Sequence, residues 1–132
     1  MKKYGLKPIA KLKMYTTVGC EPDEMGVGPA VAIPKLLNLA NMRPSDIGLW
    51  EINEAFASQA LYSIRTIGIE DQMDRINING GAIALGHPLG CTGAKLCATL
   101  LANMRRKGVK YGVESMCIGG GMGAAALFEL CD

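Results

Sequence analysis

The segment from Asn77 to Gly93, with the sequence NINGGAIALGHPLGCTG, constrains this chain more than any other part of it. It contains five glycines and the only histidine of the sequence, His87. Glycine lets the backbone approach a ligand closely, but it costs conformational entropy that a structural loop rarely needs so often. Pro88 restricts His87 to extended backbone, so the imidazole is presented from a stiff loop. The segment indicates a functional site, although a glycine-rich turn with a solvent-facing histidine has the same pattern.

The composition is that of a globular chain. The 132 residues are 49% hydrophobic and 20% charged, which is enough for one domain with a core. The net charge of +2 comes from 14 basic and 12 acidic residues spread along the chain, without the basic stripe that nucleic-acid binders need. No apolar run approaches the roughly 18 residues of a membrane helix, and the first residues lack a signal-peptide core. We expect a soluble intracellular protein that binds neither nucleic acid nor membrane.

The five cysteines are odd in number and contain no CxxC pair. This argues against a disulfide framework and against a structural zinc cluster, and it favours a reducing compartment. A metal site made of His87, Cys91 and Cys117 is conceivable, but nothing in the spacing requires one. No metal is therefore predicted.

The periodicity of apolar residues predicts strands that alternate with helices. Five segments have the pattern of strands: 9–18, 47–52, 76–78, 109–116 and 122–130. Three segments have helical spacing: 30–39, 55–67 and 93–107. Pro29 fits the first position of the first helix, although Pro34 also allows its regular part to begin nearer Ile33. The fold class is therefore α/β, with a mixed five-stranded sheet, helices on both faces and a C-terminal antiparallel hairpin.

Polar side chains follow two of these strands and precede one helix. Asn53 comes directly after 47–52, at the kind of strand end where α/β proteins bind ligands, but it could equally cap the next helix. His87 precedes the helix that begins near Gly93 and so lies near the positive end of its dipole. Cys117 precedes three glycines whose amides could bind an anion, so its thiol is a candidate acid, base or nucleophile. An ordinary buried cysteine is the alternative there.

Three motifs resemble the C-terminal signatures of the thiolases, in the same order and at the same spacing. They are EINEAFA at 51–57, NGGAIALGHPLGCTGA at 79–94 and SMCIGGGMGAA at 115–125. MGVGPAVAIP at 25–34 and EINEAFASQALY at 51–62 are most similar to degradative 3-ketoacyl-CoA thiolases. The resemblance covers residues 1–132 as a thiolase-like C-terminal domain, but only the carboxyl half of the family's chain. The amino half, which carries the nucleophilic cysteine in the family, has no counterpart in this sequence.

The resemblance implies a role for each motif. His87 would activate the nucleophilic thiol and help to hold an oxyanion, and Asn53 would hold the water that completes that oxyanion hole. Cys117 would be the general acid and base, and the amide of Gly119 would line a second oxyanion hole. Phe56 would pack beside the acyl pocket. Such donors are typically worth about 10²–10³ in rate.

The resemblance also implies a reaction and partners. The expected reaction transfers an acyl group to coenzyme A and cleaves a 3-ketoacyl-CoA to acetyl-CoA and a shortened acyl-CoA, with a Claisen condensation as the reverse. Acyl-CoA and coenzyme A would be substrates, and no covalently bound cofactor is expected. The expected partners are a thiolase amino half, without which this chain would be inactive, and further copies in a homo-oligomer. The expected location is the cytoplasm, with the peroxisomal matrix as the alternative.

Two other functions stay open at this point. The chain could be a non-catalytic thiolase-like remnant with a regulatory or interaction role, or a module that binds coenzyme A or phosphate through its glycine loops. Asn53, His87 and Cys117 together favour catalysis, because neither alternative needs an acid/base pair.

Three positions depart from the pattern of the family. Ile78 stands where many relatives have proline, Lys95 where arginine is common, and Glu114 where a small or apolar residue is usual. If Glu114 faces inward, we expect it to raise the pKa of Cys117 by like-charge repulsion, although strand alternation equally allows it to face solvent.

Overall fold

A mixed β-sheet is the frame of the fold in the computed structural model, which describes residues 2–131. Its strands are β1 (Ala10–Gly19), β2 (Leu49–Ile52), β3 (Tyr111–Ile118) and β4 (Met122–Leu130). They lie in the order β1-β4-β3-β2, with β2 parallel to β3 and β4 antiparallel to both of its neighbours. The α/β class, the mixed sheet and the C-terminal hairpin are confirmed. The predicted domain, 1–132, includes two residues, Met1 and Asp132, that lie outside the described range.

The predicted fifth strand, at 76–78, is wrong, and the sheet has four strands among the described residues. Ile76 makes one isolated parallel bridge with Trp50, and Asn77 then leaves the extended conformation with a φ of 47°. The Asn77 side chain takes over the pairing: its Oδ1 accepts from the Ile52 amide and its Nδ2 donates to the Ile52 carbonyl, both at 2.8 Å. A side-chain amide therefore satisfies the backbone groups that another strand would have paired.

Residues 2–131 contain four α-helices: α1 (Gly28–Leu39), α2 (Ala57–Ile67), α3 (Ala82–Leu85) and α4 (Thr92–Lys107). The three predicted helices are confirmed, and α3 is an additional single turn within the glycine-rich segment. The predicted start at Pro29 is confirmed and the alternative start near Ile33 is wrong, because α1 is helical from Gly28 onward with a proline in its first two positions. Pro34 lies on the exposed side of α1, where one lost hydrogen bond is tolerated. Within residues 2–131, none of the helices is long and apolar enough to cross a membrane.

Side chains of β2 alternate between two cores, and all four of its residues are buried. Trp50 and Ile52 pack into the larger core, which is formed with α1 and α2. Leu49 packs on the opposite face against Leu100 and Met104 of α4. The predicted placement of helices on both faces is therefore confirmed, and β2 is held firmly up to its carboxyl end.

Two glutamates lie side by side beneath α4. Glu51 and Glu114 are paired residues of the parallel strands β2 and β3, and Glu51 is only 2% exposed. Glu51 accepts a hydrogen bond from Nδ2 of Asn103 at 3.4 Å, whereas the buried Oε2 of Glu114 has no partner in the described part of the chain. Burial raises the pKa of each carboxyl to about 7, and Glu51 adds to the rise at Glu114. The folded protein therefore favours protonated glutamates here.

Glu114 faces inward, but it does not act on Cys117. The two residues are three positions apart on β3, so their side chains point to opposite faces of the sheet. Burial raises the pKa of Cys97 on α4, and Glu114 raises it further. At Cys117 the causes of the raised pKa are burial and Cys20, so the expected repulsion between Glu114 and Cys117 is wrong.

Replacing Glu114 with glutamine is expected to stabilise the chain at alkaline pH. The Glu114 pKa is about 7 in the folded chain, above its value of about 4.3 when unfolded, so stability falls as the pH rises from about 4.5 to 7 and stays low above that. We expect Glu114→Gln to raise Tm at about pH 8 by roughly 3–8 °C and to change it less at about pH 5. Thermal unfolding followed by circular dichroism measures both values.

The matched control for this experiment is Glu70→Gln, because Glu70 is exposed and lies outside β2, β3 and α4. The control should leave Tm unchanged at both pH values. An equal change in Tm at the two pH values for Glu114→Gln would contradict the burial of an ionised carboxylate.

Candidate active site

The carboxyl ends of β2 and β3 lie at one edge of the sheet because the two strands are parallel. Asn53 follows β2 directly, and its amide donates to the Ser115 carbonyl of β3 at 2.9 Å. Cys117 lies two residues further along β3. The glycine-rich segment reaches the same edge before it enters α4, so all three predicted motifs meet there.

Asn53 is fully buried. Its Nδ2 lies 3.4 Å from Nε2 of His87, and its carbonyl accepts a hydrogen bond from Nε2 of Gln59 at 3.2 Å. The cap of α2 is Phe56, so the alternative that Asn53 caps that helix is wrong. Oδ1 of Asn53 is buried and accepts no hydrogen bond from any residue in the range 2–131. Asn53 therefore places an unused polar acceptor next to His87.

His87 is held from its other side by Thr92, the first residue of α4. Nδ1 of His87 and Oγ1 of Thr92 are 2.6 Å apart, and Oγ1 also donates to the Pro88 carbonyl at 3.0 Å. A hydroxyl has one proton, so both hydrogen bonds form only when Nδ1 of His87 carries a proton. The neutral imidazole then has its lone pair on Nε2, the atom that faces Asn53. The predicted position of His87 at the amino end of this helix is confirmed.

Cys117 is buried at 8% exposure, near the end of β3. Burial raises the pKa of its thiol, a backbone hydrogen bond opposes this rise, and Cys20 adds to it. The thiol is therefore protonated at neutral pH, which is the state that a proton donor needs.

Gly119 lies at the exposed start of the turn that joins β3 to β4. The next two residues, Gly120 and Gly121, have φ angles of 81° and 80°, in the left-handed region that favours glycine. Gly119 has no positive φ, and a Cβ added there would meet nothing within 4 Å. The turn therefore requires glycine at 120 and 121 for its backbone, whereas neither backbone angle nor space requires glycine at 119.

One cleft brings together four of the five residues predicted for the site. His87, Cys117, Gly119 and Phe56 line a space of about 610 Å³, which is within the range of small-molecule sites. Asn53 does not line this cleft, but it contacts His87, which does. The remaining walls are mostly apolar, so a few polar groups are presented in an apolar surrounding.

Cys91 does not join His87 and Cys117 in a metal site. No three histidine, cysteine or acidic side chains within residues 2–131 are grouped so that they could hold a metal ion.

Three further residues contribute to the site but were not predicted from the sequence: Thr92, Met25 and Leu89. Thr92 had a usable signal, since a hydroxyl at the start of a helix five residues after a histidine can reach that ring. Met25 and Leu89 come from irregular segments, where no periodicity indicates which way a side chain points.

The sequence matches the family described as "Thiolase, C-terminal domain" over residues 6–130. Since the match covers nearly the whole chain, the chain belongs to the thiolase family. The motif-based assignment to this family is confirmed.

Individual relatives agree with this assignment. The chain is 55% identical to a 3-ketoacyl-CoA thiolase of Bacillus subtilis, over 96% of this chain and 32% of that protein. It is 56% identical to the peroxisomal 3-ketoacyl-CoA thiolase B of Rattus norvegicus, over 95% of this chain and 29% of that protein. The chain thus spans about a third of the length of the curated relatives it matches. The predicted similarity to 3-ketoacyl-CoA thiolases is confirmed.

Solved structures show the same fold. Human mitochondrial 3-ketoacyl-CoA thiolase in complex with CoA superimposes with a TM-score of 0.93 at 44% identity, over 99% of this chain and 33% of that one. The dimeric peroxisomal thiolase of Saccharomyces cerevisiae gives 0.90 at 50% identity, over 98% and 32%.

Replacing Thr92 with valine is expected to remove the tautomer preference of His87. Valine has nearly the same shape, but it cannot accept the hydrogen bond from Nδ1. Nitrogen-15 NMR at about pH 9, where an imidazole is neutral, should show Nδ1 protonated in the parent chain and a mixture of tautomers in Thr92→Val. Because His87 is the only histidine, its signals need no further assignment.

Thr66→Val is the control, because Thr66 lies on the exposed side of α2. It should leave the His87 spectrum unchanged. A parent chain with the proton on Nε2, or a Thr92→Val spectrum equal to that of the parent, would contradict the hydrogen bonding described above.

Proposed function

We propose that this chain is the carboxyl-terminal half of a 3-ketoacyl-CoA thiolase, which supplies acid/base and oxyanion-binding groups for acyl transfer to coenzyme A. The proposal depends mainly on one observation: His87, Cys117 and Gly119 line the same cleft, and Asn53, which does not line it, contacts His87. A nucleophilic cysteine from an amino half would complete the site.

His87 is proposed as the base for the nucleophile. Its Nε2 lone pair takes the proton of the nucleophilic thiol as the sulfur attacks the 3-keto carbon of the substrate. Thr92 supports this role because its hydrogen bond keeps the proton on Nδ1 and leaves the lone pair on Nε2.

Asn53 is proposed to hold a water that, with His87, binds the oxyanion formed in this attack. The buried, unpartnered Oδ1 of Asn53 supports this role, because a water that donates to it is fixed close to the imidazole.

Cys117 is proposed as the acid and then the base. When the bond between C2 and C3 of the substrate breaks, the leaving enolate of acetyl-CoA takes the thiol proton of Cys117. The resulting thiolate then takes the proton of coenzyme A, whose sulfur attacks the acyl-enzyme and releases the shortened acyl-CoA. The raised pKa of Cys117 supports the first of these steps, since the thiol is protonated when the enolate forms. The Gly119 amide is proposed to donate to the second oxyanion.

Substrates and partners follow from the same proposal. Phe56 is 68% exposed on the cleft wall, where an acyl chain could cover it. Acyl-CoA and coenzyme A are proposed as substrates, as the CoA complex of the human relative supports. A homo-oligomer is proposed from the dimeric yeast relative, together with a location in the cytoplasm or, alternatively, the peroxisomal matrix.

The direct test combines this chain with a thiolase amino half and measures thiolytic cleavage of a 3-ketoacyl-CoA. We expect His87→Ala and Cys117→Ala each to lower kcat by about 10²–10⁴-fold, because each removes a proton-transfer group. Binding of coenzyme A, measured by calorimetry, should change by less than about threefold, since neither change removes a uniform binding contact.

Cys131→Ala is the control, because Cys131 follows the far end of β4, at the opposite edge of the sheet from Cys117. It should retain full turnover. Coenzyme A binding without any turnover in the reconstituted parent would instead favour a binding module, and neither binding nor turnover would favour a non-catalytic remnant.

A further inference from the structure

Glu54 occupies a central position next to the candidate site, although it is not among the residues that line the cleft. It follows Asn53 directly and is half-buried. Its Oε1 accepts a hydrogen bond from Nδ2 of Asn77 at 2.8 Å, and its Oε2 accepts one from the Ile83 amide at 3.1 Å. Ile83 belongs to α3, the short turn that leads to His87. The carboxylate thus connects the chain around Asn53 to the loop that carries His87.

Asn77, which donates to the Glu54 carboxylate, is itself held in place. Asn77 holds the Ile52 backbone through both of its side-chain amide atoms, each at 2.8 Å. Ile52 is the last residue of β2, so the Glu54 carboxylate is tied to the end of the strand that positions Asn53. The hydrogen bonds therefore run from β2 through Asn77 and Glu54 to the start of α3.

Gly81 shows how closely the loop lies against Glu54. A Cβ added at Gly81 would clash with the carboxyl group of Glu54. The backbone of Gly81 has a φ of −98°, which any residue adopts, so a side chain fits there only if the carboxylate end of Glu54 moves.

We infer that Glu54 is a positioning residue, which fixes the loop bearing His87 relative to Asn53 for the proposed acyl transfer. Both groups that bind its carboxylate are donors, and an ionised carboxylate can accept from both. An amide in its place would put its NH₂ group against one of these donors. The inference depends on the proposed function for its effect on turnover, but the geometry itself can be tested without turnover.

The first experiment compares the 132-residue chain with Glu54→Gln by two-dimensional amide NMR and by the His87 ring signals. We expect the Ile83 amide proton to move upfield when its charged acceptor is lost, and the His87 ring signals to shift or broaden. Glu70→Gln, an exposed glutamate on another segment, should change neither. Unchanged Ile83 and His87 signals in Glu54→Gln would overturn the inference.

The second experiment measures kinetics after combination with a thiolase amino half. We expect Glu54→Gln to lower kcat by about 10- to 100-fold, because misplacement by about 1 Å has effects of this size, while KM for coenzyme A stays within about twofold. Equal kcat in Glu54→Gln and the parent would overturn the inference but leave the proposed function intact. If the parent itself does not turn over, the proposed function fails, and the NMR result alone decides the role of Glu54.

Gly81→Ala provides an independent variant at the same contact, and it replaces Glu54→Gln if that change unfolds the chain. Its methyl group pushes on the carboxylate from the loop side, so we expect the same fall in kcat and the same shifts at Ile83 and His87. Parent-like kcat and spectra in Gly81→Ala would contradict the close contact on which the inference depends.

Discussion

The parallel pairing of β2 with β3 is the constraint on which the rest of the site depends. Residues 49–52 pair in register with 112–115, so both strands deliver their carboxyl ends to one edge of the sheet. The Asn53 amide extends this ladder by one hydrogen bond to Ser115, which fixes where the strand stops and the site begins. Both cores enclose β2 completely, so this edge cannot shift without exposing Trp50 or Leu49.

Helix α4 connects the site to the interior of the domain. Its first residue, Thr92, holds the imidazole of His87, while its inner face covers the paired carboxyls of Glu51 and Glu114. Helix α4 therefore contacts two different kinds of ionisable group, an imidazole and two carboxyls. At one end a hydrogen bond from Nδ1 of His87 to Thr92 fixes the tautomer of the imidazole, and in the interior burial opposes the ionisation of the two glutamates.

Much of this structure could be predicted from the sequence, because the long strands and helices have clear periodicity. The thiolase motifs located Asn53, His87 and Cys117, since each motif lies where a strand ends or a helix begins.

The fifth strand was mispredicted because the Asn77 side chain replaces strand pairing, which periodicity cannot reveal. The face of the sheet on which a side chain lies was harder to predict. The alternation along β3 allowed the Glu114 side chain to lie on either face, and only the packing of α4 shows which one it is. Glu54 required coordinates, since its importance comes from contacts with residues 23 and 29 positions away in the chain.

The measurement that tests the proposed half-site most directly is thiolytic cleavage of a 3-ketoacyl-CoA by this chain alone and by this chain combined with a thiolase amino half. We expect no turnover from the chain alone and coenzyme A-dependent turnover from the combination, because the proposed acid/base groups lie on this chain and the proposed nucleophile lies on the other half. Turnover by the chain alone would contradict the proposal, since one of its own five cysteines would then have to carry the acyl group.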